Sequence, residues 1–460
     1  MPKKKKEQSI LTPDLSNQIA SSIKEIDIED YMVDSYNKYL SYIISGRVAS
    51  NIFDGFKNIY RRILYAANDK CKDHFIKSAR LTGEVYNYSP HGDSYSSIVK
   101  AVNNGYLIGQ GNFGNLFSVE GDPPAAQRYT EVKLSPISEI LFLNKDLLDY
   151  VPYIETESSK ADDVILEPLF LPVLLPGIFV AIPTTTEFDK NMALKQYIVM
   201  PRYSVLSLLK YVIKYLKENK WDPSLLYYQH HNIIKQANTD TKSTFTVEFK
   251  IPISEDSKGN IHLLSTLPLT QMISKLKSVP YIDSTTTSTD IIIPKKYYNS
   301  NFKSKITFNT KGYKLIDNDY ENVVLHDYPI RYAIQIILNT LKTFLFPRYF
   351  KDKEQKLLDK INEYEILKIV RSKYIDKHIP FDQLSKEEQD IASNHSSATF
   401  MTIEKKIEKF NSDLEIIRNR AKDIDKEILI LYEDAYTKVS KYMSKYIKDN
   451  NIKIYDVTNI

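Results

Sequence analysis

Glycine is scarce in this chain, with 12 in 460 residues, well under half the usual share of roughly 7%. Flexible Gly-rich linkers and collagen-like repeats are thereby excluded. The single cysteine, Cys71, cannot form an internal disulfide and points to a reducing compartment. No run approaches the roughly 18 uninterrupted apolar residues of a membrane helix. The most apolar stretch, Leu169 to Ile182, is broken by Pro172 and Pro176 and closed by Pro183. Excess charge of one sign is missing too. Against 62 Lys+Arg stand 58 Asp+Glu, a net of +4, so bulk charge alone does not nominate nucleic acid. No internal repeat at a period of roughly 20–50 residues is visible. The start, Lys3 to Lys6, has no apolar segment behind it and is no secretory signal. It reads as a solvated tail, with a nuclear address or a DNA-touching arm as alternatives.

What glycine there is lies together. Nine of the twelve fall between Gly46 and Gly121, leaving Gly177, Gly259 and Gly312 outside. That stretch needs backbone other residues cannot supply. Around it, Tyr39, Leu40, Ile43 and Ile44, then Ile59, Ile63 and Leu64, sit at helical spacing. Residues 81–135 read as short helices alternating with glycine-punctuated turns. Residues 160–330 carry short β-rich runs at Ile178–Ile182, Phe245–Ile251, Ile291–Ile293 and Ile306–Phe308, separated by polar loops, which predicts a mixed α/β region. In the last third, Ile403, Ile407, Phe410, Leu414, Ile417, Ala421, Ile424 and Ile428 step by four and three. This heptad seam predicts one helix of about 40 Å. Leu357, Ile361, Tyr364 and Leu367 predict its antiparallel partner. A helical knob is expected between them, opened by Ser385 and Glu388 as a capping box.

Gly109-Gln110-Gly111-Asn112-Phe113-Gly114 matches G-x-G-x-x-G. A dinucleotide loop needs a strand before and a helix after. Tyr106-Leu107-Ile108 suits a strand, but the residues from Asn115 to Pro124 do not suit a helix, so nucleotide binding is rejected. Basic residues surround the loop: Arg47, Lys57, Arg61, Arg62, Lys77, Arg80, His91 and Arg128. Beyond it stands Arg128-Tyr129. A phenol has an unperturbed pKa of about 10 and needs neighbouring cations to become phenoxide-like. Arg answers the charge of a phosphoryl transition state with a planar fork of donors. The pair therefore suits nucleophilic attack on a phosphodiester, although with 34 tyrosines composition alone does not select Tyr129. The pair His230-His231 lacks a third ligand at metal spacing, and no metal-binding residue is expected.

The pieces Ser45-Gly46-Arg47, Asp54-Gly55-Phe56-Lys57, Tyr60-Arg61-Arg62-Ile63-Leu64-Tyr65, Lys77-Ser78-Ala79-Arg80, Pro90-His91-Gly92-Asp93-Ser94, Gly109 to Gly114 and Ala126-Gln127-Arg128-Tyr129-Thr130-Glu131 resemble, in order and spacing, the cleavage core of type IIA DNA topoisomerases. These are the A subunits of gyrase and topoisomerase IV, and in organisation the chain is most similar to the medium subunit of T-even-type phage topoisomerases. The resemblance implies an α+β multidomain fold: a tail and arm over 1–30, a winged-helix DNA-cleavage domain over 31–160, a mixed α/β tower domain over 161–330, a long antiparallel coiled coil with a helical C-gate over 331–445, and a tail over 446–460. It implies that Tyr129 attacks DNA to leave a 5′-phosphotyrosine. Arg128, His91 and Arg47 would assist at the reacting phosphate. Lys57, Arg61, Arg62, Lys77 and Arg80 would grip the DNA, and Ile178, after Pro176-Gly177, would wedge between bases. Mg²⁺ and ATP are expected on a partner ATPase/TOPRIM-containing subunit. Double-stranded DNA and a second copy of the chain are the other partners, the setting is cytoplasmic, and relaxation or decatenation is the expected outcome. A non-catalytic DNA-binding dimerisation protein of the same fold is the alternative. The chain departs from bacterial relatives at Ser89, Asn58 and Tyr60, where they carry His, Pro and His, and the helix after Ser94 is two residues shorter.

Overall fold

The computed structural model of the chain describes residues 27–43, 56, 58–88, 93–114, 123–142, 153–154, 165–166, 203–230, 233–237, 247–250, 253–263, 291–293, 307–310, 315–316, 325–326, 330–395 and 400–456. Helix α1 (Ile28–Ile43) opens with Glu29 and Asp30, whose charges suit the positive end of a helix. The next unit holds α2 (Asn58–Lys70), β1 (Ile76–Lys77), α3 (Ser78–Val85), α4 (Tyr95–Asn103), β2 (Leu107–Gln110), β3 (Glu131–Leu134) and α5 (Pro136–Phe142). Helix α2 buries Tyr60, Ile63, Leu64 and Ala67, the one-sided spacing that drives a helix onto a core. The strand expected at Tyr106–Ile108 is present as β2, and with β1 and β3, which were not expected, it forms a three-stranded antiparallel sheet with β3 in the middle. Ile76 stands opposite Val132, and Leu107 opposite Leu134. Alternation sends Thr130, Val132 and Leu134 inward while Glu131 and Lys133 stay half-exposed.

The middle of the chain is mixed α/β, as its pattern predicts. Helix α6 (Val205–Glu218) presents Leu208, Leu209 and Val212 to the core. Short strands β4 (Tyr153–Ile154) and β5 (Ile165–Leu166) pair antiparallel, and β6 (Tyr227–His230) and β7 (Ile233–Gln236) form a hairpin. Strand β8 (Val247–Lys250) pairs with β12 (Thr307–Thr310), β10 (Ile261–Leu263) lies between β9 (Ile253–Glu255) and β11 (Ile291–Ile293), and β13 (Leu315–Ile316) pairs with β14 (Leu325–His326). The expected run Ile178–Ile182 lies outside the described residues.

Helix α7 (Ile330–Thr340) passes through a π turn at Leu341–Leu345 into the long α8 (Phe346–Asp376). Pro347 stands at the start of α8; it lacks an N–H and crowds the carbonyl four residues back, a cause of such bulges. Helix α8 runs antiparallel to α10 (Phe400–Ala421), with Glu354 at Arg418 and Lys368 at Glu404. Tyr364, Leu367 and Ile403 form their buried seam. At the tip, α9 (Lys386–Asn394) opens with the expected capping box. Glu388 N–H donates to Ser385 Oγ, and Ser385 N–H donates to Glu388 Oε2.

The single 403–428 helix is corrected. Helix α10 stops at Ala421 and α11 (Ile424–Asp449) begins anew. Asp423 turns its carboxylate onto the Lys426 N–H at 3.1 Å, capping a new start. Across the break, Arg420 holds Glu427 through two bonds of 3.0 and 2.6 Å. Helix α11 leaves the hairpin and packs on α5 and α6. Its Ile428, Tyr432 and Val439 join one continuous core with α2, α6 and α7. Past it, β15 (Tyr455–Asp456) adds to β7 in parallel, so part of the stretch expected as a tail is an added strand. Among the described residues, no helix is long and apolar enough to cross a membrane.

Candidate active site

Tyr129 sits in a tight turn two residues before β3. Its N–H donates to the Ala126 carbonyl at 2.9 Å and closes the turn. Ser78 N–H donates to the Thr130 carbonyl at 2.9 Å and Ala79 N–H to the Gln127 carbonyl at 3.2 Å, which tie the turn to the first residues of α3. Ala125 N–H donates to the Asn112 carbonyl at 2.9 Å and ties it to the glycine loop. From α4, the Tyr95 hydroxyl donates to the Ala125 carbonyl at 2.5 Å. Thr130 is fully buried, so the next side chain in the alternation faces out, and Tyr129 is 64% exposed.

The crowded glycines have local causes. Gly111 holds φ at +102°, and a Cβ there would meet the Tyr129 carbonyl oxygen at 3.3 Å. A Cβ on Gly109 would fall 2.6 Å from both Phe113 and Val102. The first needs a left-handed backbone and the second a close approach. The G-x-G-x-x-G loop does not open a βαβ unit, because β2 pairs antiparallel with β3, which agrees with the rejected nucleotide pocket.

The Arg128 guanidinium lies 4.5 Å from the centre of the Tyr129 ring, and both side chains are exposed. The pairing of residues 78–79 with 127 and 130 brings exposed Lys77 and Arg80 beside this turn. Lys77 reaches Glu131 at 2.7 Å. Such a surface pair is worth about 0–1 kcal/mol, little enough for a phosphate to compete.

Arg61 and Arg62 differ from expectation. They are 3% and 8% exposed, and Arg61 Nη2 donates to the Phe56 carbonyl at 3.3 Å. They face the core instead of offering open phosphate grips, so a phosphate reaching them requires rearrangement around α2. Burial pushes the Tyr60 phenol up to about 12, which keeps it protonated and unsuited to shuttle protons near neutral pH. Burial likewise pushes the Cys71 thiol up to about 11, leaving it unreactive. Arg47, Lys57, His91 and Ile178 lie outside the described residues.

The described carboxylates beside the turn do not fit a Mg²⁺ centre. Asp93 accepts from the Tyr95 N–H at 2.9 Å, Glu131 faces Lys77, and among the described residues no three His, Cys, Asp or Glu cluster as ligands. Tyr95 is the site residue that the sequence did not single out. Its partners lie 30 and 35 residues away in the chain, and no local pattern marks them.

The family of A subunits of DNA gyrase and topoisomerase IV matches residues 47–431. The A subunit of DNA gyrase from Dehalogenimonas lykanthroporepellens is 40% identical over 171 residues, covering 34% of this chain and 20% of that protein. The A subunit of DNA topoisomerase 4 from Staphylococcus epidermidis is 32% identical over 212 residues, 41% of this chain and 26% of the relative. The A subunit of DNA gyrase from Ureaplasma parvum is 30% identical over 311 residues, 63% of this chain and 36% of the relative. The chain thus spans from about a fifth to just over a third of the length of these relatives.

Proposed function

This chain belongs to the family of DNA gyrase and topoisomerase IV A subunits, and from that membership we propose that it is the DNA-breaking and rejoining component of an ATP-dependent type II topoisomerase. The observation that carries the reading is the exposed Arg128–Tyr129 pair, presented by a turn whose other residues are held to α3, α4 and the glycine loop. Tyr129 Oη attacks the scissile phosphorus. Its bond to phosphorus forms as the bond to the 3′ oxygen breaks, the phenol gives up its proton, and the departing oxygen takes one up as a 3′-hydroxyl. Arg128 leaves the ring face to meet the phosphoryl oxygens as negative charge spreads over them. One phosphoester replaces another, so rejoining runs back along the same path without ATP.

Lys77 and Arg80 supply accessible cationic surface beside the turn. By resemblance, Arg47, Lys57 and His91 join them, Arg61 and Arg62 do so only on rearrangement, and Ile178 stabilises a bent duplex by wedging between bases. The unit from α2 to α5 is read as the winged-helix cleavage domain and the β-rich middle as the tower. The α8–α10 hairpin is read as the coiled coil leading to a dimerising C-gate. The working assembly pairs two copies with an ATPase/TOPRIM subunit, which supplies ATP hydrolysis and Mg²⁺, and acts on double-stranded DNA in relaxation or decatenation.

The test uses the full chain with that subunit, Mg²⁺, ATP and supercoiled plasmid. Tyr129→Phe should abolish the covalent protein–DNA adduct and leave DNA binding intact; an adduct that survives the substitution overturns the assignment. Without the partner, the chain should bind duplex DNA but leave supercoils unchanged.

A further inference from the structure

We infer that Tyr95 is a positioning residue for Tyr129, acting through a chain of three hydroxyls, Tyr95–Thr130–Ser78; the inference rests on reading Tyr129 as the nucleophile. The Tyr95 oxygen lies 2.5 Å from the Ala125 carbonyl and 3.0 Å from Thr130 Oγ1. Thr130 Oγ1 lies 2.8 Å from Ser78 Oγ. Residues 125 and 130 flank the Arg128–Tyr129 pair on both sides, so one phenol clamps both ends of the turn that presents the nucleophile. Within the turn, the closing bond from Tyr129 N–H to the Ala126 carbonyl does not by itself fix the turn against α4.

The clamp is rigid at its own base. Tyr95 is the first residue of α4, its N–H is held by Asp93 Oδ1 at 2.9 Å, and its half-buried ring packs against the main core. A tyrosine reaches out on two torsions only, which makes it a stiff lever. Thr130 and Ser78 are fully buried, where a hydroxyl without partners is costly. The relay thus couples three parts: α4, the nucleophile's turn, and the junction of β1 and α3 that carries Lys77 and Arg80. Displacing a reacting group by about 1 Å costs on the order of 10²-fold in rate, so a loosened clamp acts on chemistry before it acts on binding.

The test measures single-turnover adduct formation at saturating plasmid, with the full chain, its ATPase partner, Mg²⁺ and ATP. Tyr95→Phe keeps the ring and removes the hydroxyl. Its rate per folded enzyme should fall by roughly tenfold or more, while the Kd for DNA stays within about twofold. Thr130→Val should fall likewise, and Thr130→Ser, which keeps the oxygen, should restore most of the rate. Tyr129→Phe is run in parallel. If it still forms adduct, the reading of the nucleophile fails and takes this inference with it. If it forms none but Tyr95→Phe loses less than about threefold, the positioning role alone is overturned. A Tyr95→Phe loss that only tracks the fraction of folded protein also overturns it, because packing would then account for everything.

Discussion

Gly109 and Gly111 stand two residues apart and serve different ends. A methyl on Gly109 collides with Val102 and Phe113 at 2.6 Å, inside a packed core, where overpacking costs about 1–3 kcal/mol. Gly109→Ala should therefore lower the melting temperature of the whole chain. Gly111→Ala forces a side chain onto a backbone at φ +102° and against the Tyr129 carbonyl, a strain of about 1–3 kcal/mol placed on the turn that presents Tyr129. Its adduct formation should drop at least tenfold with DNA binding little changed, and equal losses in binding and cleavage would contradict this. Tyr432 is fully buried, and its hydroxyl has no hydrogen-bond partner among the described residues. An unsatisfied buried hydroxyl costs about 1–3 kcal/mol, so Tyr432→Phe should leave stability unchanged or raise it in a thermal melt. At this scale Tyr129 and Arg128 were legible because their motif is contiguous. Tyr95 was not, because its meaning lies in oxygen atoms that only folding brings near.

Elements formed where local signals agreed and shifted where a single side chain intervened. The Ser385–Glu388 box was readable from spacing, and the structure adds Lys373, whose Nζ lies 2.6 Å from Glu388. Together the Lys373 ammonium and the Ser385 N–H hold the Glu388 carboxyl below its ordinary value. A carboxyl lowered by folding contributes stability that is fully present above its unfolded pKa of about 4.3 and is lost as pH falls below that. Amide hydrogen exchange in α9 should speed up as pH drops from about 6 to 3, beyond its intrinsic pH dependence, and Glu388→Gln should flatten that trend. Protection that stays constant down to pH 3 would contradict it. The heptad seam, by contrast, predicted one helix and produced two. Its apolar spacing is continuous through Ala421 and Ile424, but Asp423 caps a new helix and Arg420 clamps Glu427 across the joint. A hydrophobic period records which faces are buried; it does not record that two different cores bury them.

Across the whole molecule, cations that are close in sequence are sorted by burial into accessible and inaccessible sets. Lys77, Arg80 and Arg128 are exposed around the turn, and DNA binding should weaken steeply between about 50 and 200 mM salt as counterions are released. Arg80→Ala should reduce the slope of log K against log salt by about 1. Arg61→Ala should instead lower stability with the slope nearly unchanged, and a reversed pattern in salt titrations would restore the open phosphate grip for Arg61. The sequence alone marked the glycine-punctuated stretch with its Arg128–Tyr129 pair, the β-rich middle and the helical hairpin. These follow from short motifs and from apolar periods that chain-local physics enforces. Tertiary structure decided the rest. It made β3 a central strand, turned Arg61 and Arg62 inward, and sent α11 back onto α5 and α6. It also set the Tyr95 hydroxyl against both ends of the Tyr129 turn. Each of these depends on contacts between residues far apart in the chain, whose free energy exists only once the intervening segments have packed.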